Sequence, residues 1–404
     1  MTSRIKYWVV STSTCLAVML VVGSVLGRGA DQSDNYKQLG VFSDVVARIK
    51  SDYVEEPDMK SVTLGALNGL LESIDPFASY LNADQYKDYL SSKGTARPDV
   101  GLILSKRAGY MSVVGTVPDS PAAKAGFGMG DMIESIKGIS TRDMPLAYAG
   151  MLLQGAAGSE VELSVVRVRN PEPQAVKLTR AALAIPPIEG KMLAGQVGYV
   201  HVDALSAAQV RQAADAIRNL QKDGAQKLVV DMRDCAVGSP EDGLAFANLF
   251  VGKGRLIYYK GQRVAQVNVD ADPSEAITTL PVAVLINHGT ADGAEVAAAA
   301  LGDNKRAQLV GERTYGDASV RKAITMDDGG AIILSVAKYY TADGKAIQDN
   351  GLTPAYVVTE PEPQIDVDEN GEPIPEAQQP QQPKKSLDSD PVMRKALEVL
   401  GAKA

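Results

Sequence analysis

The chain has 404 residues, enough for two or three domains, and its 45% hydrophobic and 22% charged residues are the balance of a globular protein. A net charge of −8 and the lack of any basic stripe exclude nucleic acid as the main partner. Cys15 and Cys235 lie too far apart in character and sequence to suggest a disulfide framework, and His201 and His288 fall in no metal-ligand spacing, so neither a metal nor a cofactor is expected.

Arg4 and Lys6 precede an apolar run from Tyr7 to Leu26, about 20 residues without a charge. As a helix this would cross ~30 Å of hydrocarbon, with the positive flank held in the cytoplasm. A cleaved signal peptide is the competing reading; the length of the run and the poor cleavage context at Val25–Ala30 favour an uncleaved anchor. Residues 1–30 are therefore read as a signal anchor or signal peptide. The rest of the chain is expected outside the cytoplasm, anchored to the inner membrane through residues 7–26 and facing the periplasm.

Residues 31–95 read as a helical region. Leu39, Phe42, Val46, Ile49 and Tyr53 recur at helical spacing, and a second helix is expected from Lys60 to Ile74, stopped by Pro76. Residues 96–185 are rich in alternating strand patterns such as Val161–Val166, with Pro121 opening a short helix and Gly126 closing it. Residues 186–360 alternate strands and helices, which predicts an α/β core. The strands are Val197–Val202, Leu228–Asp231, Val282–Asn287 and Ala331–Val336; the helices are one capped by Ser206, Asp242–Phe250 and Gly293–Leu301. Residues 361–386 are rich in Pro, Glu and Gln and read as a disordered linker, and residues 387–404 hold a short terminal helix.

Three stretches carry a resemblance. Ser120-Pro121-Ala122-Ala123-Lys124-Ala125-Gly126 followed by Gly130-Asp131-Met132-Ile133 is similar to a PDZ signature. Ile286 to Val296 and Gly311 to Asp317 resemble the active-site segments of the C-terminal processing (tail-specific) serine proteases, which join a PDZ domain to a Ser-Lys dyad. Tyr339–Gln348 and Gly351–Pro354 resemble the closing segment of the same family. The resemblance implies an α/β multidomain fold: a PDZ domain before a ClpP/crotonase-like protease core, with a helical segment ahead of both. It also implies that Val100, Gly101, Leu102 and Ile103 form the peptide-binding loop and strand, which would capture a C-terminus by strand addition.

The matched catalytic positions depart from the family pattern. Its nucleophile, three residues before a glutamate, falls on Asp292; its lysine, after Thr-Phe-Gly, falls on Asp317 after Thr314-Tyr315-Gly316; its lysine-orienting glutamine falls on Arg321. A Ser-Lys dyad needs a hydroxyl and a neutral lysine to take its proton, and neither is present at these positions. The oxyanion loop, Asn-Asn-Pro-Gly-Gly in the family, reads Asp234-Cys235-Ala236-Val237-Gly238, so Val237 replaces the first glycine. Rescue candidates are a displaced Thr290–Lys322 pair, an Asp292–Asp317 pair sharing a proton over a water, and Cys235 as nucleophile. The expectation is a catalytically inactive family member that binds C-terminal tails of envelope proteins or regulates an active relative, and forms a homodimer. The alternative is an active serine-type endopeptidase using a displaced nucleophile.

Overall fold

The computed structural model describes Lys37, residues 39–92, 97–359 and 390–402, apart from positions 108, 143 and 169. The expected anchor and the 361–386 linker lie outside the described residues. Residues up to Ala66 and residues from Leu67 onward form two compact units. In the first, helix α1 spans 39–52 and α2 (Met59–Glu72) begins. Of the apolar row expected there, Leu39, Phe42 and Tyr53 are exposed, while Val46 and Ile49 are partly buried.

In the second unit α2 ends at Glu72, two residues earlier than its spacing suggests. Its carboxylate pairs with Lys106 at 3.0 Å. A strand then stands within the stretch expected to be helical: β1 (Ser79–Leu81) pairs antiparallel with the later strand Ala331–Tyr340, and α3 (Ala83–Ser92) follows. Ser79 and Leu81 are buried there, so tertiary pairing fixes a three-residue strand that has no period of its own.

A six-stranded antiparallel sheet follows, in the order β2 (Leu102–Arg107), β3 (Tyr110–Thr116), β4 (Met132–Ile136), β6 (Glu160–Arg167), β7 (Asn170–Thr179), with β5 (Ile139–Ser140) paired to β4. Ser120 caps α4 (Pro121–Lys124) by accepting from the Ala123 amide, and Gly126 ends it at φ +73°. Helix α5 (Leu146–Leu153) packs on the sheet over a core of Val100, Met111, Ile133, Leu153 and Leu163.

The largest core surrounds a second six-stranded sheet, ordered β17 (Tyr356–Val357), β14 (Ala307–Gly311), β13 (Val282–Ile286), β10 (Lys227–Asp231), β9 (Val197–His201), β8 (Gly190–Leu193). All its pairs are parallel except β8 with β9. Every residue of Val282-Ala283-Val284-Leu285-Ile286 is buried, the pattern of a parallel strand covered on both faces. One face carries α6 (Ala207–Lys222), α7 (Pro240–Asn248) and α8 (Gly293–Asp303); the other carries α9 (Pro391–Val399). Ser206 caps α6, as its sequence predicts. Asp390 caps α9 and also accepts from Arg233 at 2.7 Å, which ties the terminal helix to the end of β10.

A third sheet, missed in sequence apart from one strand, joins β1, β16 (Ala331–Tyr340), β11 (Arg255–Lys260) and β12 (Val267–Asp270), with β15 (Ser319–Thr325) paired to β16. It carries Arg321 beside the cleft described next.

Candidate functional site

Strand β13 ends in a loop, Asn287 to Ala291, that delivers Asp292 to the start of α8. Asp292 has φ +50° and ψ −119°, a conformation that a non-glycine residue adopts only when its surroundings impose it. They do so on both sides: the Ala291 amide donates to the Cys235 carbonyl at 3.0 Å and the Gly293 amide to the Gly238 carbonyl at 3.3 Å. A Cβ on Gly293 would stand 2.2 Å from the Ser239 carbonyl oxygen, so only glycine allows α8 to lie this close to the 237–239 loop.

The loop after β14 is held against α8 by one buried carboxylate. Glu295 Oε1 accepts from the Thr314 hydroxyl and from the Gly316 amide (2.8 Å), and Oε2 accepts from the Asp317 amide (2.8 Å). Burial pushes its pKa up to about 7 against the pull of these three donors. Gln348 supports the same loop, its Oε1 accepting from the Ala318 amide at 2.8 Å. These bonds place Asp317 beside Asp292 in a cleft of about 570 Å³, with Val237, Gly238 and Arg321 in its lining.

Within the cleft Arg321 forms an ion pair with Asp317, and its guanidinium lies 4.3 Å from the centre of the Phe77 ring. Its Nε is buried without a hydrogen-bond partner. Burial pushes the Asp292 carboxyl well above the ordinary carboxylate range; the neighbouring Asp317 charge adds to this and Arg321 opposes it. Asp317 is raised by burial as well, with Arg321 pulling the other way. Asp292, at the start of α8, and Asp317 and Arg321, four residues apart at the entry to β15, thus form one partly buried electrostatic group.

The rescue residues stand elsewhere. Thr290 is fully buried, and its hydroxyl donates to the Met232 carbonyl at 2.9 Å while accepting from the Asn287 amide at 3.1 Å. It is a loop tie without a base. Lys322 is exposed and lines a different groove, beside Lys260 and Lys338, because neighbouring residues of β15 face opposite sides of the sheet. Cys235 is fully buried, and burial raises its thiol pKa, which disfavours the reactive thiolate. His201 pairs with Asp203 at 2.6 Å and His288 lies 3.8 Å from Glu312; neither lines the cleft.

The loop around Val237 and Gly238 is itself fixed. The Val237 carbonyl accepts from Leu205 at 2.7 Å, and Gly238 sits at φ +141°. The amide that follows position 292 would be a natural donor to a developing oxyanion, but it is already directed at the Gly238 carbonyl. Among the described residues there is no cluster of three or more His, Cys, Asp or Glu able to hold a metal ion.

Ile103 and Leu104 of β2, with Leu146 and Ala147 of α5, line the same cleft as Asp292. The β2–α5 groove and the aspartate group are thereby continuous. Val114, Ala236 and Ala291 form a small apolar contact where the antiparallel domain meets the α/β core, and Ser105 hydrogen-bonds the Tyr315 hydroxyl across it. No sequence pattern assigns a role to Phe77, Gln348 or this contact, and Glu295 is legible only as a motif position.

Residues 196–358 match the model of peptidase family S41, and residues 113–167 match a PDZ domain. A carboxy-terminal-processing protease of Bartonella bacilliformis is 30% identical over 339 residues, covering 83% of this chain and 78% of that protein. The carboxy-terminal processing protease CtpA of Bacillus subtilis is 30% identical over 334 residues, covering 82% and 71%. Among solved structures, a photosystem II D1 C-terminal processing protease aligns with a TM-score of 0.66 at 26% identity, over 79% of this chain and 92% of that one. With its PDZ domain ahead of an S41 core, the chain belongs to the C-terminal processing serine protease family.

Proposed function

We propose that this family member is a pseudoprotease that binds polypeptide segments. One observation carries the reading: the cleft holds an Asp292–Asp317–Arg321 group, while the Thr290 hydroxyl is buried and directed at a backbone carbonyl, and the hydroxyl of Ser239, which lines the cleft, caps α7 and donates to the Asp242 carboxylate at 2.8 Å. Carboxylate attack on an amide would form an anhydride while expelling a poor leaving group, and Arg321 cannot take up a proton. The groove between β2 and α5 supports the binding half of the proposal, since it opens directly into the cleft.

The apolar run of residues 7–26 supports anchoring in the inner membrane with the domains in the periplasm. Unstructured tails of envelope proteins are the proposed ligands, and an active relative is a further proposed partner. The exposed apolar row of α1 supports a homodimer. The test is incubation of the full chain in detergent with unstructured-tail substrates. Intact substrate with measurable binding is the expected result. Cleavage that Thr290→Ala or Asp292→Ala abolishes would replace this reading with that of an active endopeptidase.

A further inference from the structure

The loop ahead of β2 carries its own carboxylate. Asp99 Oδ1 accepts from the Gly101 amide at 2.8 Å. That amide belongs to the turn which, in strand-addition grooves of this kind, faces the terminal carboxylate of a peptide. The turn is firmly held: the Val100 carbonyl accepts from Ala122 (2.9 Å), the Gly101 carbonyl from Val117 (2.8 Å), and the Asp99 backbone pairs both ways with Ala181. Gly101 sits at φ +83°, and a Cβ there would fall 2.3 Å from that of Ser120, so the turn has little room to swing its amide elsewhere.

The cation adjoining its backbone partner Ala181 is committed elsewhere. Arg180, the residue preceding Ala181, donates from Nε to the Leu153 carbonyl, from Nη2 to the Leu152 carbonyl, and from Nη1 to Ser159 and the Glu160 carbonyl. A peptide carboxylate entering this turn would meet a donor already in use and a like charge in contact with it. The side of β2 away from β3 has no partner among the described strands, and its Ile103 and Leu104 line the cleft that continues to Asp292. Strand addition along β2 needs no chain end.

We infer that the β2–α5 groove takes an internal extended segment and disfavours a free C-terminus, with Asp99 as the residue that sets this preference. The inference rests on the peptide-binding reading above and narrows its ligand from tail ends to segments within tails. The experiment uses the full chain in detergent and pools of randomised decapeptides whose last residue is Ala, Val or Leu. Each pool is made as the free acid, as the amide, and extended by a Gly-Ser tail, and retention and competition are measured. The chain is expected to bind the amide and extended pools at least as well as the free acid. Asp99→Ala is expected to shift the acid-to-amide affinity ratio about ten-fold toward the acid, the effect of one hydrogen bond to a charged group. Asp99→Asn, which keeps the acceptor and removes the charge, should shift it less. Free-acid binding ten-fold tighter than amide binding by the unaltered chain would overturn the inference while leaving the peptide-binding reading intact. So would an unchanged ratio in an Asp99→Ala protein whose thermal unfolding is normal. Failure of all three pools to bind would sink both.

Discussion

The two sides of the α8 N-terminus treat a carboxylate in opposite ways. On the inner side Glu295 is fully buried and receives three donors from the loop after β14. On the cleft side, less than one helical turn away, Asp292 makes no capping hydrogen bond to its own helix and faces another carboxylate. A buried carboxylate surrounded by donors is a structural clamp; one set against a like charge is a load on the fold. The hydrogen bonds that position the cleft loops are thus in place, while two of the side chains they present, Asp292 and Asp317, are carboxylates.

The sharpest way to break this contrast is to remove the clamp. Glu295→Ala leaves the Thr314 hydroxyl and two buried amides without acceptors and should cost about 4 kcal/mol in chemical denaturation, at ~1–3 kcal/mol per orphaned donor offset by relief of a buried charge. A loss below about 1 kcal/mol would show that the loop after β14 does not depend on it. Arg321→Ala should come next, at about 3 kcal/mol, because it strips Asp317 of its counter-charge. Adding Asp317→Asn should recover a large part of that loss; if the two losses simply add, the ion pair is not the coupling.

The pH response of stability separates the clamp from the rest of the fold. Glu295 holds its proton up to about pH 7 in the folded chain and releases it near 4.5 when unfolded. The folded state therefore binds more protons between these values, and its advantage, complete below pH 4.5, is lost as the pH rises through 7. The raised Asp292 carboxyl acts in the same direction. Thermal unfolding temperatures should fall over that window, and less steeply in Glu295→Gln. The smallest effect expected is a gain: Asp292→Asn removes a poorly solvated carboxyl and should stabilise the fold by about 1 kcal/mol at pH 8. A loss instead would mean that the Asp292 charge is used structurally.

Much of this was readable in the chain. Val282–Ile286 and Leu228–Asp231 declare buried parallel strands by unbroken apolar runs, and Ser206 and Pro121 mark helix starts. Asp292, Asp317 and Arg321 fall within recognisable motifs, and the fold gathers all three in the lining of one cleft. What escaped depends on partners distant in sequence. β1 is a strand only because Ser79–Leu81 meets Ala331–Ile333, and β15 and β11 emerge only as neighbours of β16. Phe77 reaches Arg321 across more than half the chain, and Asp75 accepts from the Ser335 amide at 3.0 Å. Thr290 looked like a spare nucleophile because a sequence does not reveal where a hydroxyl points. Gly101 suggested an open carboxylate turn because the reach of the Asp99 side chain back to its amide is a matter of local geometry.

The most direct test is intact-mass and peptide mass spectrometry of the full chain after exposure to a fluorophosphonate, an electrophile that labels activated hydroxyl nucleophiles. An unmodified mass, with the Bacillus subtilis protease CtpA treated in parallel, is the expected result. A stoichiometric adduct on Thr290 or any other cleft residue would contradict the pseudoprotease reading outright.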